Sequence, residues 1–363
     1  MKIIICPLDW GLGHATRIIP VINKCVQQGH EVWLGSSGTS ERLLKKEFPN
    51  LNHIHLPNYR VKYSRFNSQV FAILLQIPFI LFSMMRESFI INQLVKKHRF
   101  KLIISDNRYT VRNKNAHNVF ISHQLNVLFP KSIKAVGALF NFLQHTLLKK
   151  FDEVWLPDEK TRLNISGALS DTTKNQKKTH EIGFLSRFKK TPIKETEKKR
   201  YDLLIILSGP EPQRSLLEKK LFQQLNNSNL NILLVRGTFQ LLKIKPTSFE
   251  ICPYMDTKTL EQTIRSSDLV LCRSGYSSIM DLIRLQKQAI LIPTPGQTEQ
   301  EYLAYWLMKR KYFHSVNQDN IRINQDIQQA LTYHPPNEPY SQNLEQRIQK
   351  ITKTKTITGK KVR

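Results

Sequence analysis

Hydrophobic and polar positions along this chain fall into short apolar runs, each followed by a stretch with helical spacing, the rhythm of repeated β-α units. Ile3–Cys6 is a predicted strand, Trp10–Arg17 a turn, and Ile18–Gln28 a helix closed by Gly29, after which Glu31–Leu34 opens a second strand. Lys101-Leu-Ile-Ile-Ser-Asp106 and Val119-Phe-Ile-Ser are apolar runs with a polar cluster at the carboxyl end, where open α/β sheets bind ligands. Asp152–Leu156 and His180–Gly183 complete the first half, and the basic, strand-poor Ser186–Arg200 reads as a linker. The rhythm then restarts at Asp202–Leu207 and continues through Asn231–Val235, Phe249–Cys252, Leu269–Cys272 and Ala289–Pro293. The expected fold is α/β with two Rossmann-like domains, residues 1–185 and 201–335, joined by the linker 186–200 and followed by a crossover helix and basic tail at 336–363.

Two further stretches interrupt the rhythm. Phe66–Met85 carries no charge, and within it Val70–Phe82 is almost wholly apolar. A spanning helix needs about 20 predominantly apolar residues. Asn67, Ser68, Gln69, Gln76, Pro78 and Ser83 interrupt this window. It predicts either a helix lying against a membrane or lining an acceptor groove, or a plain core helix. Lys131–Lys150 has apolar spacing with basic ends and reads as a basic amphipathic helix or an ordinary surface one.

Charge narrows the partners. Lys and Arg number 55 against 28 acidic residues in 363, a formal net charge of +27, which points to an anionic membrane surface, a nucleic acid or a phosphorylated substrate. The basic residues are spread along the chain without an aromatic-rich RNA motif or a zinc module, which disfavours nucleic acid. Cys6, Cys25, Cys252 and Cys272 are scattered without any CxxC and read as thiols in a reducing compartment. Met1-Lys2 leads directly into a strand without a cleavage site, so no signal peptide is expected.

The densest chemistry lies in Ser267–Asp281. A buried strand breaks at Gly275 into a helix starting near Ser277, with Asp281 one turn in. Serines can cap such a helix, Gly275 lets a ligand approach the backbone, and the free amides favour a phosphate. Asp281 is then placed to accept from ribose hydroxyls. In the first half, Gly11-Leu-Gly13 is superficially a dinucleotide fingerprint. Thr16 stands at the third glycine and the second strand ends without its acid, so a nicotinamide enzyme is a weak reading.

Cys272-Arg-Ser-Gly275, Asp281, Ala289–Pro293 and Gln300-Glu-Tyr302 resemble, in that order, the donor half of the lipid-linked N-acetylglucosaminyltransferase of peptidoglycan synthesis and its glycosyltransferase family 28 relatives. The family has Glu where this chain has Asp281, and a Gln pair where it has Gln300-Glu301, which leaves the donor sugar open. The resemblance implies a GT-B architecture, two Rossmann-like domains facing an interdomain cleft, and an inverting transferase that moves a sugar, a hexose or N-acetylhexosamine, from a UDP-sugar to a lipid or glycan acceptor. It places the donor against Ser208, Gly209, Tyr254, Met255, Ser274, Gly275, Ser277, Asp281, Gln300 and Glu301; the helix amides after Gly275 and the Ser208 turn are expected to hold leaving-group charge, assisted by Arg273 or Arg214. It places the acceptor near Gly11, Gly13, His123, Gln124 and Asn126, and Asp106, at the carboxyl end of its apolar run, is a further acceptor candidate. His14 is the candidate base, and Asp9 in the same loop competes for that role.

No metal or cofactor is called for, since no Asp-x-Asp motif occurs and the UDP-sugar is a co-substrate. The expected location is the cytoplasmic face of the plasma membrane, as a peripheral protein. A sugar-nucleotide epimerase of the same fold and, less favoured, a basic nucleic-acid-binding protein are the alternatives.

Overall fold

A computed structural model describes residues 1–59, 76–129, 134–159, 163–171, 176–190, 199–226, 228–238, 248–338 and 341–358. The described residues of Met1–Lys62, Ile73–Leu185 and Pro339–Arg363 form one compact unit, and those of Ser186–Glu338 form a second.

The first unit runs β1 (Lys2–Pro7), α1 (Leu12–Gln27), β2 (Glu31–Ser36), α2 (Gly38–Glu47), β3 (Asn52–His55), α3 (Ile77–His98), β4 (Leu102–Asp106), β5 (His117–Ile121), α4 (Lys134–Leu148), β6 (Glu153–Leu156) and β7 (Thr179–Glu181). Its strands pair in parallel in the order β3-β2-β1-β4-β5-β6-β7. The second runs β8 (Tyr201–Ile206), α5 (Gln213–Leu225), β9 (Ile232–Val235), β10 (Glu250–Cys252), α6 (Thr257–Arg265), β11 (Ser267–Arg273), α7 (Tyr276–Arg284), β12 (Ala289–Ile292), α8 (Thr298–Lys309), β13 (His314–Ser315) and α9 (Ile323–Ala330). This sheet is also parallel, in the order β10-β9-β8-β11-β12-β13. Both sheets are doubly wound. Their strand order reverses at β1/β4 and at β8/β11, and the carboxyl ends of those strands are where such sheets open a crevice for ligands.

Burial explains the strands. Ile3, Ile4, Ile5 and Cys6 are buried, as expected of a central parallel strand covered on both faces. Leu203, Ile205, Leu269, Leu271, Ile290 and Ile292 form the equivalent core of the second sheet, closed by Leu217, Leu221 and Leu225 of α5.

Two expectations need correction. The helix after β1 begins at Leu12, not Ile18. Of Gly11 and Gly13, the first, at φ 80°, takes a backbone conformation that favours glycine, and Gly13 already lies in the first helical turn. His14 therefore sits on a helix and not in a loop.

The second correction concerns Val70–Phe82. Its first part lies outside the described residues, and the helix α3 starts only at Ile77, then runs on to His98. The buried stripe of its first half is polar, Ser83 and Glu87, whereas Phe79, Phe82, Met85 and Phe89 are exposed, Met85 at 72%. Glu87 accounts for the inversion. It accepts hydrogen bonds from Arg108, Thr110 and Tyr59, the last at 2.7 Å, so a buried ion pair anchors this side of the helix. Ile91 and Val95 restore ordinary apolar packing further on.

The Lys131–Lys150 segment is helical over Lys134–Leu148, and its residues 131–133 lie outside the described residues. Helix α4 buries Gly137, Gln144, His145 and Leu148 but exposes Val136, Leu139, Phe140, Phe142 and Leu143, so its apolar side faces outward. Right-handed crossovers put α3 (β3 to β4) and α4 (β5 to β6) on the same face of the sheet, with their amino-terminal halves toward the carboxyl ends of the strands. Both exposed apolar halves thus lie at that end. Among the described residues no helix is long and apolar enough to cross a membrane.

The chain's last helix, α10 (Asn343–Thr358), is tied into the first unit. Lys24 Nζ meets Glu345 at 2.9 Å, Arg347 Nε donates to Glu153 at 2.7 Å, and Ile348 and Ile351 are buried. Of the linker, residues 191–198 lie outside the described residues, as do residues 359–363 of the tail.

Candidate active site

At the carboxyl ends of β1, β4 and β5 four side chains converge that the sequence scatters over more than a hundred positions. Pro7 pairs with Asp106 in the sheet, and Asp106 is fully buried. Arg17, one turn beyond His14 on α1, donates from Nε to Asp106 Oδ2 at 3.0 Å and from Nη2 to Oδ1. The same guanidinium lies 2.6 Å from His123 Nδ1 and 2.9 Å from His14 Nδ1. His14 Nδ1 is also 3.2 and 3.3 Å from the two Asp106 oxygens.

The electrostatics follow from the burial. Burial alone would raise the Asp106 carboxyl, but the Arg17 cation and His14 hold it down at about 2. His14 is held below its ordinary value of 6.5, first by burial and then by the Arg17 charge, with Asp106 pulling the other way. Its ring is therefore neutral at pH 7. Nδ1 can serve one partner at a time: with the proton there it donates to Asp106 and leaves Nε2 free as a base, and with the lone pair there it accepts from Arg17. His123 has no such choice, because a guanidinium is always a donor, so its Nδ1 accepts and its proton sits on Nε2.

This arrangement changes the roles expected for several residues. Asp106, expected to bind the acceptor, is instead the carboxylate partner of His14 and Arg17. Asn126 spends its amide on structure, donating to the Asp171 carbonyl at 3.0 Å and accepting from His145 at 3.0 Å. The Gln124 carbonyl accepts from Ser122 Oγ and from Gln144, while its side chain is half-buried. Asp9 is turned to the start of α2, accepting from Thr39 Oγ1 at 2.9 Å, Ser40 N at 3.1 Å and Asn58 Nδ2 at 2.7 Å. Arg17 was missed by sequence reasoning. Its three-residue spacing from His14 signals a shared helix face only once the helix is known to begin at Leu12.

In the second unit the strand-to-helix break after β11 is as the sequence predicts, with Gly275 as the cap residue of α7 and Ser277 in its first turn. A Cβ added at Gly275 would meet nothing within 4 Å, so the backbone there is open to a ligand. Ser208 and Gly209 lie exposed at the end of the neighbouring strand β8, Gly209 at φ 100°. The two arginines differ. Arg214 is paired with Glu211 at 2.6 Å and Glu218 at 3.4 Å. Arg273 is 1% exposed and has no acidic partner among the described residues. It donates to the Pro293 and Gln213 carbonyls and to Gln318 Oε1, its Nε is unpartnered, and burial lowers it to about 10. A buried cation without a counterion directly before the Ser274-Gly275 turn makes this crevice electropositive.

Other residues expected to hold the donor are engaged within the unit. Ser274 is buried and donates to the Gln300 carbonyl at 2.9 Å. Gln300 Oε1 accepts from Thr294 N and Glu301 Oε1 from Gly296 N, both at 2.9 Å, so the pair closes the loop before α8. Asp281 accepts from Ser186 Oγ at 2.6 Å and Arg187 Nε at 3.2 Å, and burial raises its carboxyl against the opposing Arg187 charge. Tyr254 and Met255 are half-buried after β10, where Met255 lines a cleft with Cys252 and Thr259. Among the described residues no His, Cys, Asp and Glu group has metal-site geometry, and it is the Arg17 cation that joins His14, Asp106 and His123.

Comparison with known proteins fits this geometry. Residues 203–357 match the family model of the glycosyltransferase family 28 C-terminal domain. An uncharacterized glycosyltransferase of Methanosarcina mazei is 22% identical over 330 residues, 83% of this chain and 82% of its own. The UDP-N-acetylglucosamine–N-acetylmuramyl-(pentapeptide) pyrophosphoryl-undecaprenol N-acetylglucosamine transferase of a Sulfurihydrogenibium species is 24% identical over 106 residues, 29% of this chain and 30% of its own. Among solved structures, MurG of Acinetobacter baumannii shares the fold with a TM-score of 0.57 at 14% identity, over 97% of this chain and 99% of that one. These matches favour sugar transfer over the epimerase and nucleic-acid readings. The chain is a glycosyltransferase with the GT-B fold, and its residues 203–357 match the glycosyltransferase family 28 C-terminal domain.

Proposed function

We propose that the protein is an inverting transferase that moves a sugar from a UDP-sugar to a lipid or glycan acceptor at the cytoplasmic face of the plasma membrane. The observation that carries this reading is the His14 imidazole held 3.2 Å from the buried Asp106 carboxylate. A base oriented in this way suits direct displacement. His14 Nε2 takes the proton of an acceptor hydroxyl, the hydroxyl oxygen bonds to the anomeric carbon, and the bond from that carbon to the diphosphate breaks, so configuration inverts. The second unit supplies the other half. Open amides at the Gly275 turn and the buried Arg273 cation stabilise the diphosphate as its charge grows. Asp281, which accepts from Ser186 and from the side chain and backbone of Arg187, is the carboxylate this reading assigns to the ribose.

The test is a transfer assay with UDP, GDP and dTDP sugars, the product's anomeric configuration being read by NMR. Retention, or no preference for uridine, would overturn the reading. Gly275→Ala probes the donor site alone. The added methyl touches no protein atom and the φ of −71° suits alanine, so the variant should melt like the parent. Its affinity for UDP by calorimetry should fall about tenfold or more. Unchanged affinity would remove the phosphate from this turn.

Membrane association rests on the exposed apolar halves of α3 and α4 together with the charge of +27. The protein should float with anionic vesicles and not with neutral ones, and Phe82→Asp combined with Phe142→Asp should abolish flotation. Equal absence of the parent protein from both vesicle types would exclude the idea.

A further inference from the structure

Helix α4 is held to the first unit by polar side chains. Gly137, Asn141, Gln144, His145 and Leu148 share one helical face; Asn141 is half-buried and the other four are buried. Asn141 bonds Val127 twice, donating from Nδ2 to its carbonyl at 3.0 Å and accepting from its amide at 2.9 Å. Gln144 donates to the Gln124 carbonyl at 3.1 Å, and His145 to Asn126 Oδ1 at 3.0 Å. Phe129 closes the contact. A Cβ added at Gly137 would come within 2.7 Å of its ring, and that ring lies 5.6 Å from the ring of Phe140.

These contacts all land on residues 124–129, the segment that follows His123 out of β5. His123 accepts from Arg17 at 2.6 Å, and Arg17 in turn holds Asp106 and His14. Hydrogen bonds and one stretch of backbone therefore lead from α4 to the proposed base without a break. Helix α3 has a tie of its own. Its Glu87 accepts from Arg108, two residues after Asp106, and Arg108 also donates to the Pro7 carbonyl at 2.8 Å, at the end of β1.

The docking of α4 is weakly secured. Each of its hydrogen bonds to protein replaces one to water, so the net gain is small, and the side chains that would anchor an amphipathic helix point away. Leu139, Phe142 and Leu143 are 60%, 62% and 53% exposed. Segments with few buried apolar contacts open most readily. Charge indicates what covers the apolar side. Residues 77–89 of α3 hold one acid, the buried Glu87, and residues 134–148 of α4 hold none, while Arg86 is exposed between Met85 and Phe89. An apolar face with basic and without exposed acidic groups fits an anionic lipid surface. Lipid binds such a face only when the helix is formed, so it favours the docked state of α4, the state that holds residues 124–129.

We propose that an anionic membrane activates the enzyme allosterically: lipid on the apolar side of α4 stabilises its docking on residues 124–127, and this fixes His123 against Arg17 beside the base. The proposal rests on the reading of α3 and α4 as the membrane-binding face, and adds that the lipid surface regulates the site as well as tethering the protein.

The full chain is followed by hydrogen exchange with mass spectrometry alone, with vesicles of equal parts phosphatidylserine and phosphatidylcholine, and with vesicles of phosphatidylcholine only. Release of UDP from UDP-glucose and UDP-N-acetylglucosamine is measured in the same samples. Neither lipid carries a hydroxyl, so water is the acceptor and takes the sugar. Asn141→Ala, on the inward face of α4, separates coupling from simple shielding by lipid. Anionic vesicles should slow exchange of residues 124–127 and raise UDP release, each about tenfold or more, and neutral vesicles should do neither. Asn141→Ala should still float with anionic vesicles but show neither response. Unchanged exchange in a parent protein that floats, parent-like slowing in Asn141→Ala, or equal UDP release with and without anionic vesicles, zero included, would overturn the proposal. So would slowing that appears on concentrating the protein without lipid, which would make a second copy of the chain the occupant of this face. Failure of the parent to float would instead remove the membrane reading itself, and this proposal with it.

Discussion

His14→Ala is expected to lower turnover about 100-fold to 10,000-fold while leaving UDP affinity within about twofold, because it removes a base and not a donor contact. The pH profile carries a second, independent expectation. Burial and then Arg17 hold His14 below 6.5, so the ring stays neutral at pH 7, and turnover should fall only as pH drops through that lowered value, on the acid side of 6.5. Asp106→Asn removes the partner that favours the Nδ1 proton and should also depress turnover without altering UDP binding. Asp9 is the competitor, but its carboxylate already accepts three hydrogen bonds at the start of α2. Near-normal turnover in His14→Ala together with collapse in Asp9→Asn would move the role to Asp9.

Arg17→Met should be the most destabilising single change at this site, by about 3–5 kcal/mol, because it leaves the fully buried Asp106 without its cation. In the parent, the Asp106 carboxyl sits at about 2, below its ordinary 3.8, so its stabilising contribution is complete above 3.8 and is lost as pH falls toward 2. Without Arg17 burial dominates and raises the carboxyl, reversing the sign: the variant's deficit should shrink on acidification. Urea denaturation of both proteins at several pH values reads this directly. A deficit that grows on acidification, or a variant as stable as the parent, would mean that the guanidinium does not compensate Asp106.

The parts of the site that could be read in advance are local ones. The Gly275 turn follows from a buried apolar run, a glycine and capping residues in immediate succession, and it stands where the sequence puts it. The candidate base was visible as a histidine just after β1, although the helix carrying it starts six residues earlier than its apolar spacing suggests. Arg17 was hidden because a basic residue near a helix start looks like a solvated one. Asp106 and His123 were seen as polar ends of strands, but their meeting with Arg17 depends on β1, β4 and β5 lying side by side.

The apolar segments make the same contrast. Composition alone marked Phe66–Met85 and Lys131–Lys150 as unusual, and left open whether their apolar residues face inward or outward. The buried Glu87–Arg108 pair turns the first turns of α3 outward, and packing of Gly137 and Gln144 does so for α4. By itself, then, the sequence determined two doubly wound halves, because continuous apolar runs alternating with helical spacing allow little else, and the strand-to-helix turn at Gly275, because its determinants are contiguous. Only the tertiary structure decided which charges neutralise one another. Arg214 is matched by Glu211 and Glu218, whereas Arg273 is buried with no acid beside it among the described residues, and Asp106 serves Arg17 and His14 together. Electrostatic partnership depends on distance and desolvation in the folded chain, and neither is written in the spacing of residues along it.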